Sequence, residues 1–124
     1  MEGVQNLMAT INKAIEAAMR LHPDSFDDNI KARWINELDG KISRETMHKN
    51  DFVAYQFPLD GDKELLVKSP YDNIYELYII AMSMFFSGEL AAYSAHAMLF
   101  EQAYAEFRKN YLRNNIPPQN EIKL

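Results

Sequence analysis

The feature that most constrains this chain is a predicted helix near its middle that is apolar on almost every side. Only Glu76 and Ser83 interrupt its most apolar window, Ile74 to Phe86. This window is shorter than the roughly 20 apolar residues that span a bilayer, so it predicts a core helix and not a membrane span. Such a helix must be covered by other elements nearly all round. The chain has only about three other predicted helices, which can hardly cover it on every side. We therefore expect another subunit to bury part of its surface.

Two more helices are predicted before it from apolar residues at three- and four-residue steps. The first covers about residues 5–21, and His22 with Pro23 ends it. The second opens with Ser25 and Asp28 in the spacing of a capping box. Its buried stripe is predicted to consist of Ile30, Trp34, Leu38 and Ile42.

The central helix is predicted to begin with Ser69 as its cap and Pro70 in its first turn. Ser87 and Gly88 stop or kink it, and a last helix follows over about residues 88–114. This last helix carries a stripe of mainly aromatic residues: Tyr93, Ala97, Phe100, Tyr104, Phe107 and Tyr111. Its alanines permit close approach of a neighbouring helix.

Two segments are predicted not to be helical. Residues 49–69 have two short extended pieces around a turn at Pro58, Asp60 and Gly61, which favours a hairpin or arm that contacts a neighbouring molecule. Residues 115–124 form a tail because Pro117 and Pro118 prevent the last helix from continuing. The prediction is therefore an all-α fold of about four helices in a small bundle. It forms one domain over residues 1–114, with the arm at 49–69 and the tail at 115–124.

The residues indicate no reactive site. There is no cysteine, and His22, His48 and His96 lie too far apart in sequence for a local metal-ligand spacing. Asp60, Asp62 and Glu64 imitate the start of a calcium-binding loop, but Leu65 stands where that loop requires glycine. Phosphate loops, nucleophile elbows and paired carboxylates are also missing. We therefore expect no catalytic residue, no cofactor, no metal and no enzyme activity.

The charge of the chain limits its class of partner, and its amino terminus limits its compartment. The formal charge is −5 and the pI is about 5.1, which argues against tight nonspecific binding to nucleic acid. The amino terminus lacks the basic region and apolar run of a secretory signal. Together with the lack of cysteine, this favours the cytoplasm as the compartment.

Four stretches resemble a known family. They are WINELDGKI (34–42), LLVKSPYDNIYELYIIA (65–81), SGELAAY (87–93) and FEQAYAEFRKNYLRN (100–114). In this order they are similar to the small helical head–tail connector, or head-completion adaptor, proteins of tailed phages and prophages of Gram-positive bacteria. Met84, Ser94 and Ala95 depart from the family, in which an acidic residue and asparagines are common at those positions.

The resemblance implies a non-enzymatic structural protein of virion assembly. Connectors form homo-oligomeric rings, usually dodecameric, beneath the portal protein, and they present a surface to the next head-completion or tail-joining protein. DNA would only pass through, no membrane would be involved, and the locations would be the host cytoplasm during assembly and then the virion's head–tail junction. We expect the interfaces to use aromatic and tail residues: Trp34, Phe52, Tyr55, Phe57, Tyr71, Tyr75, Tyr78, Ile116, Pro117 and Ile122.

Two other interpretations remain open. A small cytoplasmic helical regulator or assembly chaperone would bind a protein partner through Trp34 and the tyrosine faces. A metal-dependent hydrolase built on the three histidines is the least supported.

Overall fold

The computed structural model describes residues 8–115, which fold into four α-helices without a β-strand. Helix α1 is Ile11–Leu21, α2 is Asp28–Lys41, α3 is Asn73–Phe86 and α4 is Leu90–Asn114. A π-helical turn, Ile42–Thr46, extends α2. The prediction of a small all-α bundle is confirmed.

Helix α1 begins later than predicted because a side chain caps it. The Thr10 hydroxyl accepts a hydrogen bond from the Lys13 backbone N–H at 3.1 Å, and Thr10 has an extended backbone. Threonine at this position satisfies one of the free N–H groups of the first turn. The helix therefore starts at Ile11, and residues 8–10 are not helical. Its predicted end is confirmed, since His22 follows its last residue.

Helix α2 also begins differently from the prediction. Asp28 is its first residue, and the preceding residue, Asp27, makes no side-chain capping bond, so Ser25 does not open a capping box. At the other end, Met47 N–H donates to the Ile42 carbonyl at 3.0 Å, the five-residue spacing of a π-helix. This turn buries Thr46, whose hydroxyl lies 3.3 Å from the Tyr104 hydroxyl of α4.

Helix α3 is the centre of the bundle, because it packs against α1, α2 and α4. It begins at Asn73, three residues after Pro70, so the predicted cap at Ser69 is wrong. Seven of its residues are buried: Ile74, Tyr75, Ile79, Ile80, Ala81, Ser83 and Met84. Gly88 is the middle residue of the α3–α4 connection and has a φ of +79°, a conformation that glycine adopts without the steric cost of a Cβ. The predicted break at this glycine is confirmed.

Helix α4 packs against α3 through the predicted aromatic stripe. Phe100, Tyr104 and Phe107 are buried, and their consecutive ring centroids lie 5.6 and 6.2 Å apart. Tyr111 continues the row at 6.1 Å from Phe107.

Residues 49–69 fold back onto their own chain as an irregular segment without a strand, so they form neither the predicted hairpin nor a projecting arm. Tyr55, Leu65 and Val67 from this segment are buried core residues. The Leu65 N–H donates to the Ala9 carbonyl at 2.8 Å, and the Asn12 N–H donates to the Gly61 carbonyl at 3.0 Å. The segment therefore covers the bundle, and without it α1, α2 and α3 would leave apolar surface open. Across residues 8–115 no helix is both long and apolar enough to cross a membrane.

Candidate functional site

A buried carboxylate connects residues 49–69, which we call the covering segment, to helices α2 and α3. Asp39 of α2 has no exposed surface, and its oxygens accept hydrogen bonds from the Tyr55 hydroxyl at 2.6 Å and the Tyr75 hydroxyl at 2.7 Å. The backbone N–H of Leu66 donates to the same carboxylate at 3.2 Å. The Tyr75 hydroxyl in turn accepts from the Val67 N–H at 2.9 Å. Each polar group of this Asp39 network has a partner, as burial requires.

Burial sets the ionisation of the Asp39 network. Desolvation raises the pKa of Asp39 above 3.8, although the bonds from Tyr55, Tyr75 and Leu66 act in the opposite direction. Burial, followed by the nearby Asp39 charge, also raises the pKa values of Tyr55 and Tyr75, so both phenols stay protonated as donors. The network therefore connects α2, α3 and the covering segment through hydrogen bonds made inside the fold.

The surface best suited to a partner lies on the first half of α4. Its outward positions are Leu90, Ala91, Ser94, Ala95, Met98 and Leu99, spaced so that they share one face of the helix. Leu90 and Met98 are 63% and 61% exposed. No Asp, Glu, Lys or Arg occurs from Leu90 to Phe100. We call this face, together with Phe85 and Phe86 at the end of α3, the apolar surface.

The second half of the same helix provides an internal comparison. There the outward positions carry Glu101, Gln102, Glu106, Arg108 and Lys109. A helix on the surface of a soluble bundle normally has polar residues on its outward face. The second half of α4 follows this rule and the first half does not. Contiguous exposed apolar residues of this kind mark interaction sites.

Aromatic contacts join the end of α3 to this face. The Phe85 ring lies 5.2 Å from the Tyr93 ring of α4 and 5.2 Å from the Phe86 ring. The Phe86 ring stacks nearly parallel on Trp34 at 5.8 Å, while the other side of Phe86 remains exposed. Phe85 and Phe86 of the apolar surface therefore pack against aromatic residues of α2 and α4.

A groove lies beside the carboxyl-terminal end of α4, away from the apolar surface. It is an open groove of about 750 Å³ between the covering segment and the last turns of the helix. Tyr71, Phe107 and Tyr111 supply its aromatic lining. Its charged residues are Lys49 and the ion pair of Lys68 with Glu64 at 2.8 Å. Asn115, the last described residue, also lines the groove.

The structure places the predicted interface residues in three different settings. Trp34, Tyr55 and Tyr75 are at most 7% exposed and belong to the core, which corrects their assignment to an interface. Four others are half-buried and pack against the core: Phe52, Phe57, Tyr71 and Tyr78. The three tail residues lie outside the described part of the chain: Ile116, Pro117 and Ile122.

The aromatic residues of the covering segment pack inward for identifiable reasons. Phe52 packs its ring over Gly40 of α2, where an added Cβ would meet the ring at 3.6 Å, an ordinary van der Waals contact. Tyr55 is held by Asn36, which accepts from its backbone N–H at 2.6 Å and donates to its carbonyl at 3.1 Å. The outward apolar residues of this segment are Val53 and Leu59, which the sequence analysis did not select.

The sequence analysis also missed Asp39 and the residues of the apolar surface. Asp39 stands in a helix beside Glu37, where a carboxylate is usually exposed. The signal for the apolar surface was the uncharged run from Leu90 to Phe100.

The histidines do not form a three-residue metal site. His22 and His96 lie side by side with ring centroids 6.4 Å apart. His48 is exposed and does not join them. No group of three or more metal-ligating side chains occurs among residues 8–115.

Comparisons with protein-family models, with curated protein sequences and with solved structures give no match for this chain.

Proposed function

We propose that this chain is a head–tail connector of a tailed phage or prophage, a non-enzymatic adaptor that assembles as a ring beneath the portal protein. The observation that carries the proposal is the apolar surface, which exposes large side chains where a stable monomer would place polar ones. The resemblance of residues 34–42, 65–81, 87–93 and 100–114 to such adaptors supports the same function.

The apolar surface suits contacts between subunits. A ring requires a heterologous contact, in which one patch of a subunit meets a different patch of the next. An uncharged face accepts an apolar partner patch without burying an unpaired charge, which would be costly. Val53 and Leu59, both exposed on the covering segment, are suitable apolar residues for the second patch.

The charge of the chain suits a protein that DNA passes without binding. The formal charge of −5 disfavours attachment to phosphates. The cations Arg108, Lys109 and Arg113 cluster near the end of α4, where positive charge complements the helix dipole. We therefore assign these cations no role in holding DNA.

The test is electron microscopy of particles from an induced lysogen in which this gene is deleted and then supplied again on a plasmid. If the proposal is correct, separate heads and tails accumulate without the gene, and complementation restores joined particles. Intact phage in the deletion strain would overturn the proposal and favour the regulator or assembly chaperone.

Complementation with surface variants tests the assignment of the interface. Leu90→Glu with Met98→Glu places two charges on the apolar surface and is expected to leave heads and tails unjoined. The control is Leu112→Glu, because Leu112 lies on the same helix, is 51% exposed and is outside the apolar surface. Both proteins must show wild-type helicity by circular dichroism. Joined particles with the double variant would show that this face is not the interface.

A further inference from the structure

We propose that His22 and His96 form a binding site for one divalent transition-metal ion of the zinc and nickel class. The two residues come from separate elements: His22 directly follows α1, and His96 lies in the first half of α4. Their ring centroids are 6.4 Å apart with an angle of 53° between the ring planes. This inference is independent of the proposed connector function.

The hydrogen bond of His96 leaves a ring nitrogen prepared for a metal. Its Nδ1 lies 3.0 Å from the Ala92 carbonyl oxygen. A carbonyl oxygen only accepts, so Nδ1 carries the hydrogen and the Nε2 of the neutral ring keeps a lone pair. Metal-ligating histidines commonly donate their other ring N–H to a backbone carbonyl in this way, which fixes the tautomer and the ring orientation.

His22 provides the second observation. Its Nδ1 is buried and has no hydrogen-bond partner. A buried polar atom without a partner carries a desolvation cost that ligation or an ordered water would remove. The neighbouring charged groups are already engaged: Asp24 pairs with Lys31 at 2.9 Å, and Arg20 pairs with Glu16.

The distance between the rings fits a shared ion after a small adjustment. Zinc–nitrogen bonds of about 2.0–2.1 Å and a tetrahedral angle place two ligating imidazole centroids about 5 Å apart. The rings must therefore approach by about 1 Å, and rotation of the His22 side chain, whose Nδ1 makes no hydrogen bond, supplies this movement. Two imidazoles without a carboxylate favour zinc, nickel or copper over magnesium or calcium. Water would complete the coordination, because no third ligand of this kind lies with the pair among residues 8–115.

The test is isothermal titration calorimetry, in which zinc chloride is added to the untagged protein and the heat of binding is measured. It is repeated with His22→Gln, His96→Gln and the control His48→Gln. His48 is the matched control because it is exposed and outside the pair. We expect one zinc ion per chain, at least about tenfold weaker binding in each of the first two variants, and unchanged binding in the control. Magnesium chloride is expected to give no binding.

Nitrogen NMR of the wild-type protein keeps the test independent of how the variants fold. Zinc is expected to shift the Nε2 resonance of His96 while its Nδ1 remains protonated. Absence of zinc binding, loss of binding in His48→Gln, or unchanged binding in both pair variants would overturn the inference.

Discussion

The Tyr75 hydroxyl donates to an Asp39 carboxylate oxygen at 2.7 Å, joining α3 to α2 across 36 residues of sequence. Through Tyr55 and Leu66 the same carboxylate holds the segment that covers the bundle. One side chain thus positions three parts of the chain, and its loss has consequences that stability measurements detect.

Tyr75→Phe is expected to destabilise the fold by about 1–3 kcal/mol, because it removes a donor from the buried carboxylate and leaves the Val67 N–H without its acceptor. The measurement is urea unfolding followed by circular dichroism. Tyr71→Phe is the matched control, since Tyr71 lines the open groove, and it is expected to change the free energy of unfolding by less than about 0.5 kcal/mol. Equal effects of the two substitutions would contradict the role of the network.

The Asp39 carboxyl gives a pH dependence whose sign is set by burial. Its pKa in the folded chain is raised above 3.8, so the folded chain keeps a proton at Asp39 at pH values where the unfolded chain has lost it. The free energy of unfolding contributed by this group is therefore greatest below pH 3.8 and declines as pH rises through the raised pKa.

Asp39→Asn isolates this contribution, because the amide does not titrate. As pH rises from about 3 towards neutrality, the free energy of unfolding of the wild type is expected to fall relative to that of Asp39→Asn. Urea unfolding at a series of pH values measures it. A difference that grows in favour of the wild type would mean that the donors lower the Asp39 pKa by more than burial raises it.

The Asp24–Lys31 ion pair is buried, and breaking it on one side is expected to be costly. The Lys31 side chain has no exposed surface and its ammonium lies 2.9 Å from the Asp24 carboxylate. Asp24→Ala leaves this charge unpaired and is expected to cost about 3–5 kcal/mol. Glu16→Ala removes the partner of Arg20 in an exposed pair and is expected to cost at most about 1 kcal/mol. Thermal unfolding of both variants checks the contrast, and similar melting temperatures would refute it.

Removal of the tail, residues 115–124, is expected to leave folding intact while weakening partner binding. The described core is formed by residues that precede this segment. Unfolding by urea should therefore match the full chain within about 0.5 kcal/mol. The truncated gene should fail to complement particle joining in the deletion lysogen. A truncated protein that does not fold would count against this prediction.

The periodic parts of the fold were predictable from sequence because helical spacing records which side of a helix is buried. The stripe from Phe100 to Tyr111 is of this kind. The break at Gly88 was predictable for another reason, since glycine adopts a positive φ that ends a helix. The fate of residues 49–69 was not predictable in the same way, because Tyr55, Leu65 and Val67 lack a period that shows whether their own chain or another covers them. Asp39 was missed because a helix position alone does not distinguish a buried carboxylate from an exposed one.

The stacking of Phe86 on Trp34 gives the protein an internal optical reporter. Trp34 is the single tryptophan of the chain and is 4% exposed, whereas Phe86, its stacking partner, is 56% exposed on the apolar surface. A subunit or other protein that covers Phe86 removes water from this ring, which stacks directly on the Trp34 indole. The fluorescence of the unlabelled chain is therefore expected to change when this surface is occupied, without an introduced dye.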